Sequence, residues 1–131
     1  MTPEDLLRHA HQTAQELPGA EVGQPFGPDW DVYKVSGKVF ALLSQVAGEQ
    51  ILTVKADPVD AVALCQDYAE IRPGYHMNKR HWVTLTPGPS LDPDLVRELV
   101  TVSYLLVVER LPRSRRPVDP DSFAEAAGLT G

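Results

Sequence analysis

Four times along this chain a helix-capping residue is followed at once by proline: Thr2-Pro3, Asp57-Pro58, Asp92-Pro93 and Asp119-Pro120. Proline lacks an N–H, which costs nothing in a first helical turn but breaks a helix interior, so each pair marks a helix start. After Thr2, Leu6, Leu7, Ala10, Ala14 and Leu17 recur at helical spacing until Pro18-Gly19, which predicts a helix over residues 3 to 17. After Asp57, Ala61, Leu64, Cys65 and Tyr68 form one apolar stripe, predicting a second helix ending near Tyr68. The run from Leu99 to Val108 is β-branched enough to pass for a strand. It is too long for one, and with a capped start at Asp92 it reads as the most buried helix, stopped by Pro112. Asp119 opens a short helix over 120–127, closed by Gly128.

Between the first two helices the period changes to two. Val32–Val35, Ser36-Gly37 and Lys38–Leu43 read as a hairpin with a two-residue turn; Ala47-Gly48 turns into a third strand over 50–55. Glu21–Gly23 adds a short strand ahead of them, and His81–Thr86 another beyond the second helix. Closely linked strands favour an antiparallel meander. The expected fold is α+β, a two-layer sandwich with helices packed on one face of an antiparallel sheet. Residues 1–112 make the domain, and 113–131 an arginine-rich tail with a short helix, expected outside the core.

A chain of 131 residues buries a core without staples. The most apolar window, Leu95 to Leu111, contains Arg97, Glu98 and Glu109, so it is no membrane span. The single cysteine, Cys65, excludes an internal disulfide and a four-cysteine zinc site, and on the buried stripe of the second helix it reads as an inert core thiol. With an acidic opening, Met-Thr-Pro-Glu-Asp, where a signal peptide carries bases, the expected compartment is a reducing cytoplasm.

No nucleophile elbow, glycine-rich phosphate loop or zinc-protease helix is present, so no cofactor is called for and no enzyme is expected. His9 and His11, two apart on a helix, cannot share a metal and read as solvent-facing. Asp29 and Asp31 flank Trp30 where turn formation and edge protection account for them. Twelve Lys and Arg against eighteen Asp and Glu leave a net charge of −6, the wrong sign for gripping nucleic acid by overall charge. Distribution then decides.

One stretch stands out: Ile71-Arg72-Pro73-Gly74-Tyr75-His76-Met77-Asn78-Lys79-Arg80-His81-Trp82. Arginine and lysine beside flat rings and an amide are what a phosphate-binding surface uses. The plainer reading makes Trp82 a core residue and Lys79 and Arg80 a solvated rim. His76 and His81 lack a third ligand of fixed spacing, so no metal site is defined.

This stretch, together with Pro25-Phe26-Gly27, Val32 to Leu43, Ser103-Tyr104 and Leu111-Pro112, resembles the MmcQ/YjbR family of small bacterial proteins over roughly residues 4 to 112. The resemblance implies a two-layer α+β fold similar to the secretion-chaperone and CyaY-like groups, DNA binding through a "double wing" motif, and no established enzymatic activity. The implied contact region is Arg72, His76, Asn78, Lys79, Arg80, His81 and Trp82. Lys34 and Lys38 are added because they flank the Ser36-Gly37 tip, where a wing needs cations.

Three readings follow. DNA binding by one basic patch leads. A protein- or peptide-binding adaptor with a chaperone-like fold would instead show an exposed apolar sheet face. A small-ligand site or enzyme around His76 to His81 would show an apolar pocket converging on those residues. The expected oligomeric state is a monomer or a weak homodimer.

Overall fold

The Thr2 hydroxyl accepts the Asp5 N–H at 3.1 Å while the Asp5 carboxylate accepts the Thr2 N–H at 3.2 Å, a reciprocal cap that starts α1 (Pro3–Glu16). A one-way cap starts two more helices: the Asp92 Oδ1 accepts the Leu95 N–H at 2.8 Å at the head of α3 (Pro93–Glu109), and the Asp119 side chain accepts the Asp121 N–H at the head of α4 (Pro120–Ala126). α2 (Pro58–Asp67) has Asp57 at its cap without a side-chain hydrogen bond. A computed structural model describes residues 1–74 and 78–129. Tyr75 and His76, both singled out in the sequence, lie outside the described residues.

Six strands form one sheet: β1 (Ala20–Gly23), β2 (Trp30–Val35), β3 (Lys38–Val46), β4 (Glu49–Lys55), β5 (Ile71–Pro73) and β6 (Trp82–Leu85). Their order is β1-β2-β3-β4-β6-β5, and every pairing is antiparallel. The two tight turns are built as expected: Ser36 and Gly37 have φ of 48° and 80°, and Ala47 and Gly48 have 51° and 79°. Positive φ at both central residues matches the right-handed twist of a hairpin. β5 is the strand the sequence reading left inside a loop. It is three residues long and ends in Pro73, which an edge strand tolerates.

Registration assigns the faces. Tyr33 pairs with Ala41, Leu43 with Leu52, and Leu52 with Leu85, all buried against the helices. A register shift between Tyr33 and Lys34 leaves Phe40 as an extra residue of β3. That bulge turns its ring into the helix layer. There Tyr33, Phe40, Tyr104 and Phe123 form a chain of rings with centroids 6.3, 5.4 and 6.1 Å apart. Each such pair contributes about 0.5–1.5 kcal/mol beyond its buried area.

The segment after Pro112 does not hang free. Phe123, Ala124 and Leu129 pack on the core, and Arg116 donates to the Leu111 and Glu109 carbonyls at 2.9 and 2.6 Å, capping α3. His11 departs from its solvent-facing reading: its Nδ1 lies 2.6 Å from the Tyr33 hydroxyl. A polar tip inside the layer demanded a partner, and the helix supplied one. Among the described residues no helix is long and apolar enough to cross a membrane.

Candidate functional site

Antiparallel pairing brings three separate stretches to one end of the sheet. Val35 faces Lys38 across the β2–β3 turn, and Lys55, the last residue of β4, faces Trp82, the first of β6. The C-terminal end of α3 crosses the same end. Lys38, Val39, Lys55, Trp82, Val107, Arg110 and Leu111 together line a cleft of about 470 Å³. Its floor is tied: the Lys55 N–H donates to the Ser103 hydroxyl at 2.8 Å, and that hydroxyl donates to the Phe40 carbonyl at 2.5 Å.

Three cations and an indole therefore share this cleft. Burial, and after it the neighbouring Arg110 guanidinium, hold the Lys55 ammonium below the ordinary lysine range, with Glu109 acting in the opposite direction. Among the described residues none of Lys38, Lys55 and Arg110 has a carboxylate within 4 Å; the ion pairs there are Arg8–Asp5, Arg72–Glu49 and Arg97–Asp94. Like charges held together with no carboxylate in direct contact are destabilising, and an anion in the cleft relieves them.

The single patch expected from the sequence is distributed over four places. Lys38 and Trp82 enter the cleft. Lys79 and Arg80 line a groove of about 670 Å³ beside α2 instead. Lys34 and Arg72 lie on the sheet face away from the helices, on β2 and β5, four strand spacings or about 19 Å apart. Lys34 faces Glu21 across the β1–β2 ladder, and Arg72 reaches Glu49 at 3.3 Å, toward the other end of the sheet.

Asn78 shapes the loop: its Oδ1 accepts the Arg80 N–H at 3.0 Å. His81 acts through its backbone, accepting from the Ala56 N–H at 2.9 Å and donating to the Asn78 carbonyl at 3.1 Å. The β2–β3 tip is anchored, since the Ser36 hydroxyl donates to the Arg115 carbonyl at 2.8 Å and Arg115 donates back to the Ser36 carbonyl at 3.3 Å.

Lys55 and Arg110 escaped the sequence reading. Each sits at the end of an element whose other residues signal burial, and only the pairing order makes those ends meet. Cys65 is half-buried, packed against the core while also lining the α2 groove, and burial pushes its thiol up.

The YjbR family model matches residues 15–106. The chain belongs to the YjbR family. Among relatives, this YjbR chain is 40% identical over 121 residues to the uncharacterised protein YbdF of Escherichia coli O157:H7, covering 92% of this chain and 99% of that one. It is 33% identical over 118 residues to the uncharacterised protein YjbR of Escherichia coli K12, covering 88% and 95%. Among solved structures, Deinococcus radiodurans protein DR2400, with the family domain DUF419, superposes with a TM-score of 0.77 at 30% identity, covering 98% of this YjbR chain and 92% of that one. A Pseudomonas syringae protein gives 0.65 at 26% identity, covering 72% and 92%. These matches share the α+β architecture built above.

Proposed function

We propose that this YjbR-family chain is a non-enzymatic nucleic-acid-binding protein, DNA being its ligand, and that phosphates dock in the cleft of Lys38, Lys55 and Arg110 beside Trp82. One observation carries the reading: a chain of net charge −6 gathers three cations around an indole and, among the described residues, gives none of them a carboxylate within 4 Å. Phosphate supplies a counter-charge in direct contact, and a flat ring at the wall suits a base or sugar. An adaptor role on the sheet face away from the helices has less support, because Val32, Leu42 and Ile51 there are only 2 to 6% exposed.

Salt-titrated binding tests the reading. With about three phosphates neutralised, log K falls against log salt with a slope near −2.7 on duplex DNA and about −2.1 on single strands. Lys55→Glu with Arg110→Glu abolishes binding, while Arg72→Ala, whose partner is Glu49, leaves it nearly unchanged. A flat salt response, no binding at low salt, or an unaffected Lys55→Glu/Arg110→Glu variant overturns it.

A further inference from the structure

α2 is apolar on two sides. Ala61 and Leu64 face the core, while Val59, Val62, Ala63 and Gln66 recur at i, i+3, i+4 and i+7 on the exposed side. Val59 is 79% exposed and Val62 59%. A scattered exposed valine needs no explanation. Here both open onto the 670 Å³ groove that also holds Cys65 and Pro73.

The charges beside this stripe are sorted by sign. Lys79 and Arg80 form one wall of the groove. Asp60 and Asp67 share a helical row seven residues apart and lie outside the groove, on the other side of the stripe. None of the four is in an ion pair among the described residues. Read across the helix, the surface runs base, apolar stripe, acid.

That pattern is complementary to itself in one orientation. A two-fold axis lying in the contact plane along α2 sets the Lys79/Arg80 side of one copy over the Asp60/Asp67 side of the other, valine on valine between them. An axis across the helix sets base on base and acid on acid. We infer that the exposed face of α2 is the contact between two copies of this chain, related by a two-fold axis parallel to the helix, with Val59 and Val62 at its centre and Lys79 and Arg80 answering Asp60 and Asp67 of the second copy. Isologous contacts need such a self-complementary patch, and a purely acidic partner would be repelled by Asp60 and Asp67. Lys38, Lys55 and Arg110 lie outside this groove, so the inference is independent of nucleic-acid binding.

Sedimentation equilibrium on the full chain, without nucleic acid, measures it. The wild type dimerises in a concentration-dependent way that weakens with salt. Val62→Asp raises the dissociation constant by about tenfold or more. Lys79→Asp/Arg80→Asp weakens the dimer similarly, and adding Asp60→Lys/Asp67→Lys to the same chain restores it. Circular dichroism checks folding of each variant, all at exposed positions. In a Cys65→Ser background, Gln66→Cys cross-links to itself, since an axis along the helix brings equal positions together. A chain monomeric at all concentrations overturns the inference. So does a charge swap that fails to restore association, a Val59→Cys to Gln66→Cys cross-link in place of the self-link, or a monomer whose α2 groove instead binds an acidic Leu/Glu peptide.

Discussion

The amide of Lys55 donates to the hydroxyl of Ser103 at 2.8 Å, so the last residue of β4 is pinned to the middle of α3. Because the same hydroxyl donates to the Phe40 carbonyl, Ser103→Ala leaves a buried donor and a buried acceptor short of a partner. It is expected to lower stability by about 1–3 kcal/mol. Chemical denaturation measures the loss. On the proposed function, nucleic-acid affinity falls with it, because the Lys55 backbone is no longer held.

Gly74 lies close to Trp82. A Cβ at that position would stand 2.6 Å from the Trp82 Cβ and 2.9 Å from its carbonyl oxygen, neither of which is a flexible tip. The Gly74 N–H also donates to that carbonyl at 2.8 Å. Gly74→Ala should therefore push β5 and β6 apart and cost about 1–3 kcal/mol. Thermal unfolding reads the cost, and a shift in tryptophan emission reads the displacement of Trp82. An alanine variant as stable as the parent contradicts the close approach.

Tyr104 donates its hydroxyl to the Pro18 carbonyl at 2.5 Å, and burial pushes its phenol up to about 12 from an ordinary 10.0. Its folded value lies above its unfolded one, so the unfolded chain loses the proton first as pH rises. The contribution is complete below about pH 10 and disappears on the way to about 12. Burial raises Tyr33 as well. Melting temperatures should drop over this alkaline window, and Tyr104→Phe should flatten part of the drop.

Phe123 rests on Tyr104 with ring centroids 6.1 Å apart, though it is only partly buried. Phe123→Ala is expected to cost about 1–3 kcal/mol, below the range for a fully buried phenylalanine. Differential scanning calorimetry checks it. No measurable change would mean that α4 contributes nothing to the core.

Capped prolines placed all four helices, and the two-residue turns placed the meander, because both signals are local: a missing N–H and a positive φ act within a few residues. Ile71–Pro73 carried no such signal, being too short to show a period. The cleft was half legible. Lys38 and Trp82 were named for their residue types, but Lys55 and Arg110 become neighbours only through the β4–β6 ladder and the crossing of α3. Lys79 and Arg80, three and two positions before Trp82, turn instead toward α2, so nearness along the chain is a poor guide to a shared surface. His11 departs from its solvent-facing expectation for a related reason: helical spacing gives direction, but what waits there is set by the sheet.

Ser36 and Arg115 are 79 positions apart, and each holds the other's carbonyl. During synthesis, the β2–β3 turn is made early but stays unfastened until Arg115 has left the ribosome. The wall that Lys38 builds therefore waits on a contact of high sequence separation, and the turn is fastened only after all of β3 to α3 has been made.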